Sequence, residues 1–90
     1  MIKIWAKTYR HKKIIQNELI VLEGRYSEDR FDAYVREVCR EMDIPCPVIL
    51  SSNLRNFTKF NITKWKAADF VESVPFDEFT IENCPIAEGA

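Results

Sequence analysis

The first nine residues alternate between two kinds of side chain, which predicts a β-strand with one buried face. The positions predicted to face inward are Ile2, Ile4, Ala6 and Thr8. The opposite face then carries Lys3, Trp5, Lys7 and Tyr9. A second apolar stretch, Ile14 to Leu22, follows the polar group Arg10 to Lys13, and the two stretches together predict a β-hairpin. No Gly, Pro or Asn marks its turn, so the turn type stays open.

Residues Ser27 to Asp43 have the pattern of an amphipathic helix of about four turns. Ser27 is the predicted N-cap, since its hydroxyl can accept a hydrogen bond from the first turn. Pro45 and Pro47 end the helix. The apolar face recurs every three or four residues, at Phe31, Tyr34, Val35, Val38 and Met42.

Residues 47–60 fit two structures. The triplet Val48 to Leu50 is typical of a strand. Helical spacing of Leu50, Leu54 and Phe57, with Pro47 suited to a first turn, favours a short second helix instead. We favour the helix.

The second half of the chain predicts two further strands. The first covers residues 61–66, and the second covers 76–83 with Phe79 and Ile81 inward and Glu78, Thr80 and Glu82 outward. A proline-containing connection, 67–75, joins them, and residues 84–90 are expected to form a loose tail.

This order of elements predicts a two-layer α+β domain spanning residues 1–90. We expect a mostly antiparallel sheet of about four strands in the order β-β-α-α-β-β, with two helices on one face.

Charge is divided along the chain. Residues 1–13 hold five Lys or Arg and no acid, whereas residues 67–90 hold six acids and no Lys or Arg. The segment between them is balanced, so the net charge of −1 conceals two oppositely charged ends. We therefore predict that the first and last strands are neighbours in the sheet, with Lys3 and Lys7 across from glutamates.

No catalytic residue, cofactor site or metal site is predicted. His11 is the single histidine, and the three cysteines, Cys39, Cys46 and Cys84, lack the close spacing of zinc ligands. The two glycines cannot form a glycine-rich phosphate-binding loop. The acids at Asp69, Glu72, Asp77 and Glu78 are more typical of a solvated face than of a metal site.

The basic segment from Lys7 to Lys13 is the candidate for contacting nucleic acid. Its cations could bind phosphates, and Trp5 and Tyr9 could stack on unpaired bases. The pI of about 5.8 argues against a dedicated nucleic-acid domain.

Three strings resemble a pattern in small uncharacterised bacterial proteins of about this length. They are DIPCPVIL from Asp43, Phe60-Asn61, and DFVESVPFDEF from Asp69. The resemblance covers the second half of the chain and implies a bacterial cytoplasmic protein with no assigned activity. It marks Asp69 to Glu72 and Phe76-Asp77 as the positions to test first, with a tight turn that leads into the last strand as their structural role.

The absence of a catalytic pattern, with eleven aromatic residues in ninety, favours a non-enzymatic module that acts through protein–protein contacts, with a homodimer as one form. A nucleic-acid-binding accessory protein is the alternative. We expect a cytoplasmic location, without a membrane partner. A domain of this size is not expected to bury Trp5, Tyr9, Tyr26, Trp65 and Phe76 all at once, and exposed aromatic residues are typical of interfaces. The candidate partner contacts are Trp5, Tyr9, Arg10, His11, Lys12, Lys13, Asp69, Glu72 and Asp77.

Overall fold

Four antiparallel strands form one sheet in a computed structural model that describes residues 1–84. The strands are β1 (Ile2–Arg10), β2 (Lys13–Leu22), β3 (Ile62–Lys66) and β4 (Glu78–Asn83), in the spatial order β2-β1-β4-β3. Helices α1 (Phe31–Met42) and α2 (Ser51–Phe60) cover one face of the sheet. The predicted α+β class and the order β-β-α-α-β-β are confirmed.

The face of β1 predicted to point inward is buried along its whole length. Ile2, Ile4, Ala6 and Thr8 are each at most 4% exposed. Polar contacts continue from this face into α1: the Thr8 hydroxyl donates to Gln16 Oε1 at 3.0 Å, and the Gln16 amide donates to the carbonyl of Met42 at 3.1 Å. Strand β1 is therefore held by β2 and, through Gln16, by the end of α1.

The hairpin between β1 and β2 turns on two residues without glycine. His11 and Lys12 have φ values of 52° and 65°, as the central residues of a type I′ turn do. Neither residue favours this left-handed backbone, which explains why the sequence does not identify the turn. The Asp77 carboxylate accepts the His11 N–H at 2.7 Å and holds the turn in place.

Helix α1 buries the predicted apolar face, and Cys39 joins it. Its start differs from the prediction, because a 3-10 turn occupies Glu28–Arg30 and the α-helix begins only at Phe31. Ser27 is the N-cap residue of this 3-10 turn, but its side chain makes no capping hydrogen bond, and the N-cap of the α-helix itself is Arg30. The helix ends at Asp43, whose φ of 56° turns the chain before the prolines.

Helix α2 confirms the favoured interpretation of residues 47–60, but Pro47 does not lie in its first turn. The helix begins at Ser51 because the Asn53 side chain accepts the Leu50 N–H at 2.8 Å. Before it the chain is extended, and Val48 donates its N–H to the carbonyl of Asp69 at 2.9 Å. The Trp65 indole donates to the carbonyl of Val48 at 3.0 Å, so the segment before α2 packs along β3.

Strand β4 directs Phe79 and Ile81 inward, as predicted, and both are fully buried. It begins at Glu78 rather than at Phe76, because the Asp77 N–H already bonds outside the regular ladder, to the carbonyl of Tyr9. Cys84 belongs to the sheet rather than to a tail, since its N–H donates to the carbonyl of Lys3 at 2.8 Å. The rest of the predicted tail, residues 85–90, lies outside the described residues.

Candidate interaction surface

The face of the sheet away from the helices, here called the open face, exposes apolar side chains. Trp5 of β1 lies on this face. On the neighbouring strand β2, Leu19 lies opposite Trp5 and Val21 lies opposite Lys3. Leu19 is 56% exposed and Val21 48% exposed. Ile14 and Ile15, near the start of β2, and Ile62 on β3 are also about half exposed. Half-exposed aliphatic side chains next to an exposed tryptophan are typical of a contact surface.

Two polar contacts fix the Trp5 ring in place. Its indole N–H donates to the Asn17 side chain, and the Lys7 ammonium lies 3.5 Å from the ring centroid. A cation over an aromatic face attracts the ring quadrupole. Lys7 therefore covers part of Trp5 and keeps its orientation, so the ring contributes a fixed, amphipathic contact.

The prediction that the first and last strands are neighbours is confirmed, because β1 pairs with β4. The predicted lysine–glutamate pairs across them are wrong. The register places Trp5 opposite Glu82 and Lys7 opposite Thr80. In residues 1–84 the cross-strand ion pair joins Lys64 of β3 to Glu78, at 3.9 Å. Lys3 and Lys7 are therefore not neutralised by facing glutamates.

The basic residues predicted to contact a partner meet at the end of the hairpin. Arg10, His11, Lys12 and Lys13 are all exposed there. Asp77 lies against them through its bond to the His11 N–H, which reduces the positive charge at this end. A cleft of about 510 Å³ beside the turn is lined by Tyr9, His11, Lys12, Asp77 and Glu78.

The other two acidic candidates do not join this surface. The Asp69 carboxylate accepts the Lys66 N–H at 2.8 Å and closes the 3-10 turn Ala67–Asp69. This turn directly follows β3, and β4 begins only at Glu78. Glu72 is exposed in the connection that follows.

The five aromatic residues that were not expected to be buried together are divided between the core and the surface. Trp65 is 1% exposed and stacks on Phe79 with ring centroids 5.4 Å apart, and Phe76 is 2% exposed. Tyr26 is half-buried against Tyr34 and Phe57. Exposed aromatic surface in the candidate set therefore comes from Trp5 and the half-buried Tyr9.

The backbone of β2 has an unpaired edge, which no local sequence pattern indicates. Lys3 and Tyr9 accept hydrogen bonds from the β4 side, so the odd-numbered residues of β1 direct their backbone groups toward β4. From Ile2 to Thr8, the even-numbered residues of β1 therefore bond to the even-numbered residues opposite them on β2. This leaves the N–H and C=O groups of Asn17, Leu19 and Val21 directed away from the sheet.

The edge at β3 is different, because side chains already bond two of its outward groups. By the same alternation, Ile62, Lys64 and Lys66 face away from β4. The Lys66 N–H is bound by Asp69 at 2.8 Å, and the Lys64 carbonyl accepts from the Asn53 amide at 3.5 Å. No side chain in residues 1–84 bonds the outward groups of β2 in this way.

The cysteines occupy three different environments. Cys39 is buried in the apolar face of α1, Cys46 is exposed between prolines, and Cys84 is half-buried. Burial raises the pKa of the Cys39 thiol, and the nearby Cys46 thiol raises it further. A thiol with a raised pKa is a weak nucleophile. In residues 1–84 no three His, Cys, Asp or Glu side chains are grouped so that they could hold a metal ion.

Comparison with known proteins assigns no family. No protein-family model matches the chain, and no curated protein or solved structure matches it significantly. The helices of residues 1–84 are too short or too polar to cross a membrane.

Proposed function

We propose that this protein is a small non-enzymatic module that binds other proteins through β2 and the adjoining open face. The observation that carries this proposal is the set of half-exposed aliphatic residues on one strand, Ile14, Ile15, Leu19 and Val21. Leu19 lies opposite Trp5 and Val21 opposite Lys3, along an unpaired strand edge, and Ile14 and Ile15 lie nearer the hairpin end. Apolar side chains combined with free backbone donors and acceptors suit a protein partner, since another strand can satisfy both.

Site-specific photo-crosslinking in the native host tests this function. A photo-reactive phenylalanine derivative replaces Leu19 in one variant and Leu50 in a matched control. Leu50 is 55% exposed, nearly the same as Leu19, but it precedes α2. We expect discrete protein adducts from position 19 that are weak or absent at position 50. Equal adducts at both positions, or none at position 19, would contradict the proposal.

Nucleic-acid binding by the segment Lys7 to Lys13 is the alternative function. The observation that favours it is the exposure of all four residues Arg10–Lys13 around one tight turn. The bonded Asp77 and the mixed charges of β3 and β4 weaken it. The Lys7 ammonium over Trp5 also leaves less of the ring free for stacking on a base.

Binding to single-stranded DNA at low salt tests the alternative. If the hairpin grips phosphates, replacing Arg10, Lys12 and Lys13 by Ala should lower the affinity and flatten its dependence on salt. Failure to bind single- or double-stranded nucleic acid at low salt would remove this function.

A further inference from the structure

We infer that the partner bound at β2 is an extended peptide segment in which basic and apolar residues alternate, added to the sheet as a fifth strand. This inference rests on the proposed function and names the chemistry of its partner. Three features of β2 support it: its free backbone groups, the acidic side chains on one side of the strand, and the apolar side chains on the other.

The free backbone groups fix how the partner binds. The N–H and C=O groups of Asn17, Leu19 and Val21 point outward at alternate positions, which is the arrangement that accepts another strand. The register of β2 against β1 is regular from Gln16 to Leu22 and shifts only between Thr8 and Tyr9, near the hairpin end. A bulge hinders pairing where it occurs, so the usable edge is the regular part of β2.

On the helix side of this edge, a groove of about 220 Å³ separates β2 from α1. The acidic side chains that line it are Glu18, Glu37 and Glu41. Glu37 is paired with Arg40, whereas Glu18 and Glu41 have no ion-pair partner in the described part of the chain. A strand added to β2 directs every second side chain toward this groove, where Lys or Arg would meet carboxylates.

On the open side, the same added strand directs its remaining side chains toward Leu19 and Val21. These two are about half exposed and lie beside Trp5 and Lys3 in the sheet. An apolar residue of the partner would bury them across the strands. The two sides of the edge therefore require opposite chemistry from alternate residues of the partner.

The same charges argue against a second copy of this chain as the occupant. Antiparallel pairing of two β2 strands about a twofold axis keeps both α1 helices on one side. The carboxylates of Glu18 and Glu41 from the two copies would then approach each other, and like charges at a pairing edge are destabilising. A basic partner neutralises the groups that a second copy would bring together.

Fluorescence anisotropy with labelled synthetic peptides tests the inference on the full chain. The probe is Lys-Val-Lys-Val-Lys-Val-Lys. One control has the same composition in blocks, and a second replaces each Lys by Glu. We expect the alternating basic peptide to bind about tenfold more tightly than either control.

Protein variants locate the binding. Leu19→Pro removes an outward N–H, and we expect it to weaken binding about tenfold. The double variant Glu18→Gln with Glu41→Gln should weaken binding about fivefold. This loss of affinity should be larger at low salt than at high salt, because salt screens the charges. Asp29→Asn with Glu72→Gln makes the same change in net charge at exposed positions elsewhere and should leave the affinity unchanged. Thermal unfolding of each variant shows whether it remains folded.

The possible results separate this inference from the function on which it rests. Equal affinity for the alternating and block peptides, or equal effects of the two charge-neutralised pairs, would overturn it. A concentration-dependent mass that Leu19→Pro abolishes would identify a second copy as the occupant and also overturn it. If no peptide binds while position 19 still crosslinks to a protein, the inference fails and the protein-binding function stands. If position 19 gives no protein crosslinks, both the inference and the protein-binding function are contradicted.

Discussion

The two edges of the sheet differ in how their backbone groups are satisfied. At β3, a strand of five residues, Asn53 bonds the Lys64 carbonyl and Asp69 bonds the Lys66 N–H. At β2, a strand of ten residues, no described side chain bonds the outward groups of Asn17, Leu19 and Val21. Proteins commonly shorten or cover edge strands to prevent unwanted pairing. The contrast indicates that β3 ends the sheet, whereas β2 is able to extend it.

The comparison also shows that very few residues distinguish a closed edge from an open one. The closure of β3 depends on two polar side chains, one from α2 and one from the turn after β3. The segment after β2 places no such side chain beside it and leads instead to α1, below the sheet. An open edge is therefore a consequence of which elements flank a strand, more than of the strand itself.

The largest expected effect is the difference between proline substitutions at two adjacent positions of β2. Ile20 is 7% exposed and bonds to β1, so Ile20→Pro should lower the free energy of unfolding by about 3 kcal/mol or more. Leu19→Pro removes an N–H that points away from β1 and should cost about 1 kcal/mol or less. Urea denaturation measures both. Equal losses would mean that the two residues do not alternate between β1 and solvent.

Opening the β3 edge at Asn53 should have the next largest effect. Asn53 is 7% exposed, and its amide also donates to the Thr63 hydroxyl at 3.1 Å. Asn53→Ala leaves these groups and the Leu50 N–H without partners, and we expect a loss of about 2 kcal/mol in urea denaturation. Asn56→Ala, on an exposed position of the same helix, is the control and should be nearly neutral.

A smaller loss is expected at the other closing side chain. Asp69→Ala removes the acceptor of the Lys66 N–H and should lower the unfolding free energy by about 1 kcal/mol. Glu72→Ala, three residues later and exposed, should change it by less than about 0.5 kcal/mol. If both substitutions are neutral, Asp69 does not hold the end of β3.

A gain of about 1 kcal/mol is expected from the turn that joins β1 to the open edge. Replacing His11 by Asn and Lys12 by Gly provides residues that favour positive φ in a type I′ turn. The control, His11→Ala with Lys12→Ala, removes the same side chains and keeps the backbone strain. The thermal unfolding midpoint should rise for the Asn-Gly pair and not for the double alanine control. A similar increase in both would attribute the effect to charge removal.

Sequence alone could predict the features that depend on local periodicity. The inward face of β1 and the apolar face of α1 each repeat within a single element, so neighbouring residues are sufficient to identify them. The roles of Asn53 and Asp77 depend on partners in other elements, at Thr63, Lys64 and His11, which no local pattern indicates.

Charge predicted the neighbours β1 and β4 correctly but for the wrong reason. The register sets Trp5 rather than a lysine opposite Glu82. A shift of two residues would bring Lys3 or Lys7 to that position on the same face, but it would also change every buried pair between β1 and β4. The open edge of β2 could not be foreseen either, since it depends on the order of all four strands. Leu19 and Val21 belong to the apolar stretch that predicts the second strand of the hairpin, and that stretch does not indicate which of its residues are exposed.

Residue-resolved hydrogen exchange of the full chain, with and without the alternating basic peptide, tests the open edge most directly. In the free protein we expect fast exchange of the Asn17, Leu19 and Val21 amides and slow exchange of the Glu18 and Ile20 amides, which bond to β1. Saturating peptide should slow the three outward amides by about tenfold and leave Ile62 and Lys64 of β3 unchanged. Slow exchange of all five β2 amides in the dilute free protein would contradict an open edge at β2. Equal protection of the β2 and β3 amides by the peptide would contradict it as well.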